Sequence, residues 1–198
     1  ISKDGYILTN AHVVKDAEEI RVRLHDEREF KAKLVGADPT SDVAVVKITG
    51  TDLPSVVEGS SQDLRVGDWA VAIGNPGGLE GTVTVGVISA KGRTNLQIQG
   101  GTPSYQDFIQ PDAPINFGNS GGPLCNIKGE VIGINTAINP GGQGIGFAIP
   151  IELARSRSEQ LIAHGKVIRG YLGISPSELT KELVEGMDLP SGTRGIVV

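Results

Sequence analysis

Cysteine occurs once, at Cys125, which excludes an internal disulfide framework and any metal site built on several thiolates. Histidine is scarce as well. His12, His25 and His164 are too scattered for a histidine-rich cluster, and there is no HExxH motif, so the sequence calls for no metal and no other cofactor. No apolar run approaches the roughly 18 residues of a membrane-spanning helix. Positive charge is in the minority: 18 lysines and arginines stand against 23 acidic residues, for a net charge of −5. That balance argues against a bulk basic nucleic-acid binder and a polybasic membrane-surface protein, so no nucleic-acid partner is expected. The chain opens on Ile1-Ser2-Lys3-Asp4-Gly5, neither an initiator methionine nor a signal peptide, and reads as a trimmed edge.

What the sequence has in plenty is glycine, 28 of 198 residues, about twice the usual 7%. Glycine and proline together stay below the roughly 25–30% of low-complexity chains, so the glycines read as turns in a globular fold. A chain of this length makes one large domain or two small ones and buries about 70% of its unfolded surface. There is no internal repeat.

Short strands and turns fill the first 150 residues. Tyr6–Thr9 follows an Asp-Gly turn. Residues 20–24 and 30–34 alternate apolar and charged side chains, the pattern of half-exposed strands, and the acidic stretch between them suits a hairpin. Residues 43–48 are mostly apolar and read as buried on both faces or nearly so. Residues 69–73, 83–90, 131–135 and 145–149 continue the series. The expectation is an all-β fold of barrels or a sandwich. From Ile151 to His164 the pattern becomes that of one amphipathic helix, with Pro150 before it and Gly165 as its stop. Residues 170–198 are too few for an unaided domain.

Gly118-Asn119-Ser120-Gly121-Gly122-Pro123-Leu124 could be a plain turn, or a turn that exposes a nucleophile. A serine needs an adjacent base. His12 lies among small residues at a strand end, whereas His25 sits in a charged hairpin and His164 at a helix end. The alternative for His12 is a buried histidine satisfied by a backbone carbonyl. Asp42 stands before the apolar strand, where a carboxylate needs a partner, or else caps a turn; Asp38, before Pro39, suits the turn itself. The order His12, Asp42, Ser120 is that of the chymotrypsin-type triad. Cys125 reads as a small buried hydrophobe.

TNAHVV, SDVAVVKI and GNSGGPL, followed by GEVIGINTA and GIGFAIP, resemble the HtrA (Deg) serine proteases. Val66-Gly67-Asp68, Ala72 to Pro76 and TVGVISAKG extend the likeness over nearly all of residues 1–168. The resemblance implies an all-β, chymotrypsin-like double β-barrel: barrel one to about residue 62, barrel two over 63–150, helix 151–164. It implies that Arg169-Gly170-Tyr171-Leu172-Gly173-Ile174 opens a PDZ domain, over 169–198, with Tyr171, Leu172, Gly173 and Ile174 as its peptide-carboxylate loop.

By the same resemblance His12 is the general base, Asp42 its orienter and Ser120 the nucleophile, with the oxyanion hole in Gly118, Asn119 and Ser120. Ile115, Ile138 and Ile145 would line a shallow apolar pocket for a small aliphatic side chain before the cut, though the three also suit a core. The polar loop Asn95 to Asp107 suits moving or sensing, or is plain surface. Pro111 and Pro114 depart from the family pattern beside the nucleophile loop. The implied activity is ATP-independent cleavage of unfolded or misfolded polypeptides in the bacterial periplasm. Homotrimer-based assembly and binding of peptide C-termini through a complete PDZ domain are implied with it, and the strand before Ile1 that family trimers use is absent here. Two alternatives remain: a regulatory protease switched on by a PDZ-bound peptide, or a chaperone-like binding module with an idle site.

Overall fold

The computed structural model describes residues 2–78, 81–94, 96, 105–138, 144–171 and 173–198, with the side chains of 137 and 138 left aside. The chain divides into two compact units, residues 1–167 and 168–198.

In the first unit, β1 (Tyr6–Thr9) leads into a single helical turn, α1 (Ala11–Val14). Then follow β2 (Ile20–Arg23), β3 (Glu29–Asp38) and β4 (Val43–Lys47). They form one antiparallel sheet in the order β1-β4-β3-β2, with Leu8 opposite Val45. The apolar run of β4 is explained by its two faces. Ala44 and Val46 pack with Val14, Leu24 and Leu53 on one side, while Val43 and Val45 pack with Phe108, Phe147 and Leu161 on the other. A strand that feeds two cores has no polar face to show.

The second half of this unit contains β5 (Trp69–Gly74), β6 (Thr82–Arg93), β7 (Phe108–Pro111), β8 (Pro123–Cys125), β9 (Val131–Ile138) and β10 (Gly146–Pro150). These close into a barrel in the order β10-β7-β6-β5-β8-β9. Its interior mixes Ala70, Ala72, Ala113 and Ala148 with Ile88, Ile109, Leu124 and Ile132, small beside large, as a narrow cylinder needs. The architecture is thus the chymotrypsin-like plan in an all-β chain. The first barrel is an open four-stranded half-barrel, because four strands are too few to close; α1 and Leu53 cover its apolar face instead.

α2 (Ile151–His164) begins directly after Pro150 and ends at Gly165, whose left-handed conformation (φ 70°) returns an N–H to the Leu161 carbonyl at 2.8 Å. Ile151, Ala154, Ser158 and Leu161 are its buried stripe. Its first turn pins the connection between the two sheets. Glu152 accepts from the Ser61 N–H at 2.9 Å and from the Ser61 hydroxyl, and Arg155 lies 3.5 Å from Glu58. Burial pushes the Glu152 carboxyl up, but the Ser61 hydrogen bonds outweigh it and hold it below its ordinary value of 4.5. A carboxylate lowered in the folded state adds stability above its unfolded pKa and loses it as pH falls through the folded one. Glu152→Ala is therefore expected to cost about 1 kcal/mol at neutral pH. Urea melts should show the gap to the parent chain closing as pH drops below 4.5.

Cys125 is buried with Val131 and Ile151, and burial pushes its thiol up, which fits an inert hydrophobe. The second unit pairs β11 (Ser177–Glu178) with β12 (Ile196–Val197) and contains α3 (Lys181–Gly186), capped by the Thr180 hydroxyl. Val184 is its buried side chain among the described residues. Tyr171 is fully exposed, Gly173 has φ 66° and Ile174 is exposed; Leu172 lies outside the described residues. Among the described residues no helix is long and apolar enough to cross a membrane.

Candidate active site

The chain turns at Asn10, a buried residue whose amide donates to the Asp42 carbonyl at 3.1 Å. The Ala11 N–H reaches the same carbonyl at 3.2 Å, so the start of α1 is fastened to the turn between β3 and β4. That turn is built by Asp38, which accepts from the Ser41 N–H at 3.2 Å and from its hydroxyl. Asp42 then adopts φ 56°, a left-handed conformation that Asp tolerates better than most residues. Its carboxylate accepts from the His12 N–H at 3.0 Å, and its two oxygens lie 2.8 and 3.0 Å from His12 Nδ1. A carboxylate only accepts, so Nδ1 carries the proton and the Nε2 lone pair stays free. Asp42 is nearly buried, while the His12 side chain is 44% exposed. The reading of His12 as satisfied by a backbone carbonyl gives way to this carboxylate pair.

Ser120 lies between β7 and β8, in a loop whose glycines are demanded by contact. Asn116 to Asn119 form a turn closed by Asn119 N–H to Asn116 O at 3.0 Å, with Gly118 at φ 104° in its third position, as in a type II turn. A Cβ on Gly118 would lie 2.2 Å from the Asn75 carbonyl, and the Gly118 carbonyl itself accepts from Asn75 N–H at 2.9 Å. A Cβ on Gly121 would meet the Thr9 hydroxyl at 2.3 Å, which brings the end of β1 against the serine loop. The N–H groups of Gly118 and Ser120 have no backbone acceptor among the described residues, whereas the Asn119 N–H is already spent in the turn. Backbone N–H groups with no acceptor next to a serine hydroxyl can stabilise negative charge where they point to a common space.

Thr136, on β9, is the residue the sequence reading missed. Its hydroxyl donates to Asp42 Oδ2 at 2.5 Å, and its carbonyl accepts from Ser120 Oγ at 3.2 Å. One residue thus touches two of the three residues read from the sequence. Among the described residues His12 and Ser120 share no hydrogen bond, because the serine hydroxyl is turned to Thr136. Nothing local in the sequence marks Thr136; it is placed by the closure of the barrel.

Of the three pocket isoleucines, the side chains of Ile115 and Ile145 are described. Ile115 is buried in the barrel core, where it packs on Gly146, and Ile145 packs with the cluster of Phe108 and Phe147. The Ile138 side chain lies outside the described residues. In the loop Asn95 to Asp107, residues 95 and 97–104 lie outside them too. At its base Gln106 bonds both backbone groups of Leu96, at 2.7 and 2.9 Å, and Tyr105 N–H donates to the Thr40 carbonyl at 3.0 Å. Pro111 fits without loss: the backbone N–H and C=O of its partner Ile88 are taken by Asp68 and Gly67.

Residues 1–134 match the family described as trypsin-like peptidase domain. A probable periplasmic serine endoprotease DegP-like of Ectopseudomonas mendocina is 55% identical over 97% of this chain and 40% of its own length. The protein of the same description in Chlamydia trachomatis is 55% identical over 92% of this chain and 37% of its own. Among solved structures, the HtrA-type protease AlgW with a decapeptide superposes with a TM-score of 0.89 at 52% identity, covering all of this chain and 60% of that one. The chain belongs to the trypsin-like peptidases and, within them, to the HtrA/DegP-type serine endoproteases. It spans about 40% of the length of the curated relatives it matches.

Proposed function

We propose that this chain is an ATP-independent serine endopeptidase with Ser120 as nucleophile, His12 as general base and Asp42 as its orienter. The observation that carries the reading is the His12 Nδ1 contact to the Asp42 carboxylate at 2.8 Å, with Nε2 left free and Thr136 linking this pair to Ser120. In the first step Ser120 Oγ bonds to the substrate carbonyl carbon while His12 Nε2 takes the hydroxyl proton. The carbonyl oxygen, now an oxyanion, accepts from the N–H groups of Gly118 and Ser120, held by the Gly118-Asn119-Ser120 loop. The C–N bond then breaks as His12 returns its proton to the leaving amine. Water hydrolyses the acyl-enzyme by the same route in reverse. Asp42 holds the tautomer and stabilises the imidazolium.

The substrates in this reading are unfolded or misfolded polypeptides, cut after small aliphatic residues in a pocket of Ile115, Ile138 and Ile145. The setting is the bacterial periplasm and the assembly a homotrimer. Residues 169–198 begin a PDZ domain that takes peptide C-termini at Tyr171, Leu172, Gly173 and Ile174. The support is the naming of the relatives as periplasmic endoproteases and the peptide bound to AlgW.

The test is digestion of an unfolded, disulfide-free polypeptide, with new termini mapped by mass spectrometry and Ser120→Ala in parallel. Cuts after Val, Ala or Ile support the reading. Cuts mainly after Lys or Arg overturn the pocket, and no Ser120-dependent cut overturns the endopeptidase. The Ser120 hydroxyl bond to Thr136 favours a second reading, a binding module with an idle site. Stoichiometric labelling of Ser120 by a fluorophosphonate would exclude it.

Thr136→Val removes the hydroxyl on Asp42 and keeps the carbonyl near Ser120. It is expected to lower kcat about tenfold with KM little changed, the loss of one hydrogen bond to a charged group. Thr136→Ser should restore most of it, and steady-state kinetics on a peptide substrate would show both.

A further inference from the structure

Phe117 is a large apolar side chain held in water at the edge of the candidate site. It is 79% exposed, while Phe108 and Phe147 are buried in the core. Slack backbone is not the cause. Ile115, two residues before it, is buried in the barrel, and Asn119, two residues after, is buried as well. Phe117 is the second residue of the Asn116–Asn119 turn, and the Gly118 carbonyl that follows is tied to Asn75 N–H at 2.9 Å. The backbone on both sides is fixed while the ring has no apolar neighbour to bury it.

Val13 is likewise an exposed apolar side chain next to a residue of the candidate site. It follows His12 directly and is 48% exposed, whereas Ala11 and Val14 of the same turn are buried. Val13 and Phe117 are the large apolar side chains left exposed within three residues of His12, Asp42 or Ser120 among the described residues. One adjoins the imidazole and the other adjoins the Gly118 N–H. Single exposed apolar residues are ordinary on a surface, but two that flank one site need a use.

We propose that Phe117 determines specificity: with Val13 it forms an apolar lip that selects an apolar side chain on the leaving-group side of the cut bond. The proposal rests on the endopeptidase reading above. The side follows from the chemistry. His12 hands its proton to the leaving amine, so the departing segment lies against His12, and the proposal sets its first side chain near Val13, the next residue. The carbonyl being cut lies against Gly118 N–H, which places the next substrate side chain beside Phe117.

The test uses the full chain and a peptide series that differs only in the residue after the cut bond: Leu, Phe, Gly or Asp. The parent chain is expected to prefer Leu over Asp in kcat/KM by about tenfold, the usual scale for one apolar contact. Phe117→Ala should remove most of that preference, Phe117→Leu should keep it, and Phe117→Arg should shift it towards Asp. Thermal unfolding of each variant checks the fold. An unaltered Leu-to-Asp ratio in Phe117→Ala, with cleavage still Ser120-dependent, overturns the proposal alone. Absence of any Ser120-dependent cut overturns it together with the endopeptidase reading.

Discussion

Replacing Ser120 with alanine is expected to slow peptide-bond hydrolysis by about 10⁶-fold and to leave the fold standing. The chemical loss is large, because among the described residues no other group is placed to take over as nucleophile: the Thr136 hydroxyl is committed to Asp42, and Cys125 is buried in the Val131–Ile151 cluster with its thiol pushed up by burial. The structural loss is small. Ser120 is half-buried, and its hydroxyl makes one 3.2 Å bond, to the Thr136 carbonyl. The loop is set by other atoms, namely the Asn119–Asn116 turn, Gly121 N–H to Asn135 O and Gly122 N–H to Asn119 O. Removing one exchangeable hydroxyl from that frame should move the unfolding midpoint by about 2 °C at most. Single-turnover kinetics and calorimetry on the same sample check both halves. Hydrolysis at the parent rate would assign the activity to something other than this serine.

The contrast between what Ser120 loses and what its loop keeps also explains how far the sequence could be read. Elements that bury one face against one neighbour leave a local trace. The alternation over 20–24 and 30–34 became the hairpin of β2 and β3, with Val22 opposite Phe30. The Pro150 and Gly165 signals bracketed α2, and the apolar run at 43–48 announced a strand with two cores. His12 and Asp42 were legible because a carboxylate entering a buried strand must be met by a donor.

Elements held only by distant partners left no such trace. β8 is three residues inside a glycine-rich motif, paired to Val71 and Ala72 on one side and to β9 on the other. β7 ends in Pro111, which reads as a strand breaker until Asp68 and Gly67 are seen to take the Ile88 backbone groups. α1 is one turn long and read as the end of a strand; it exists because Asn10 and Ala11 are tied to the Asp42 carbonyl. Thr136 is an unremarkable strand residue until barrel closure brings its hydroxyl to Asp42, 94 positions away in the chain. The isoleucines carry a different ambiguity. Branched aliphatic residues fit a pocket wall and a core equally well, and the burial of Ile115 in the barrel core is compatible with both.

Asp42→Asn is expected to lower kcat by about 10⁴-fold without unfolding the protein. All the groups around the carboxylate are donors: the His12 N–H at 3.0 Å, His12 Nδ1 at 2.8 Å and the Thr136 hydroxyl at 2.5 Å. An asparagine offers one acceptor oxygen and turns an NH₂ towards one of the others. If the NH₂ faces the imidazole, Nδ1 must accept, the proton moves to Nε2, and the lone pair that should take the serine proton is gone. If it faces Thr136, the hydroxyl must rotate and the His12 N–H and Nδ1 compete for one oxygen. The backbone survives either outcome, since asparagine tolerates the φ of 56° found at this position and the Asp42 carbonyl still holds Asn10 and Ala11. The defect should therefore lie in kcat with KM little changed, and circular dichroism should match the parent chain. Its dependence on His12 is the sharper check. Because Asp42 acts only through the imidazole, adding Asp42→Asn to His12→Ala should cost nothing further. If instead the two losses multiply, Asp42 acts on the site by a route that bypasses His12, and the carboxylate–imidazole pair is not the working unit of this site.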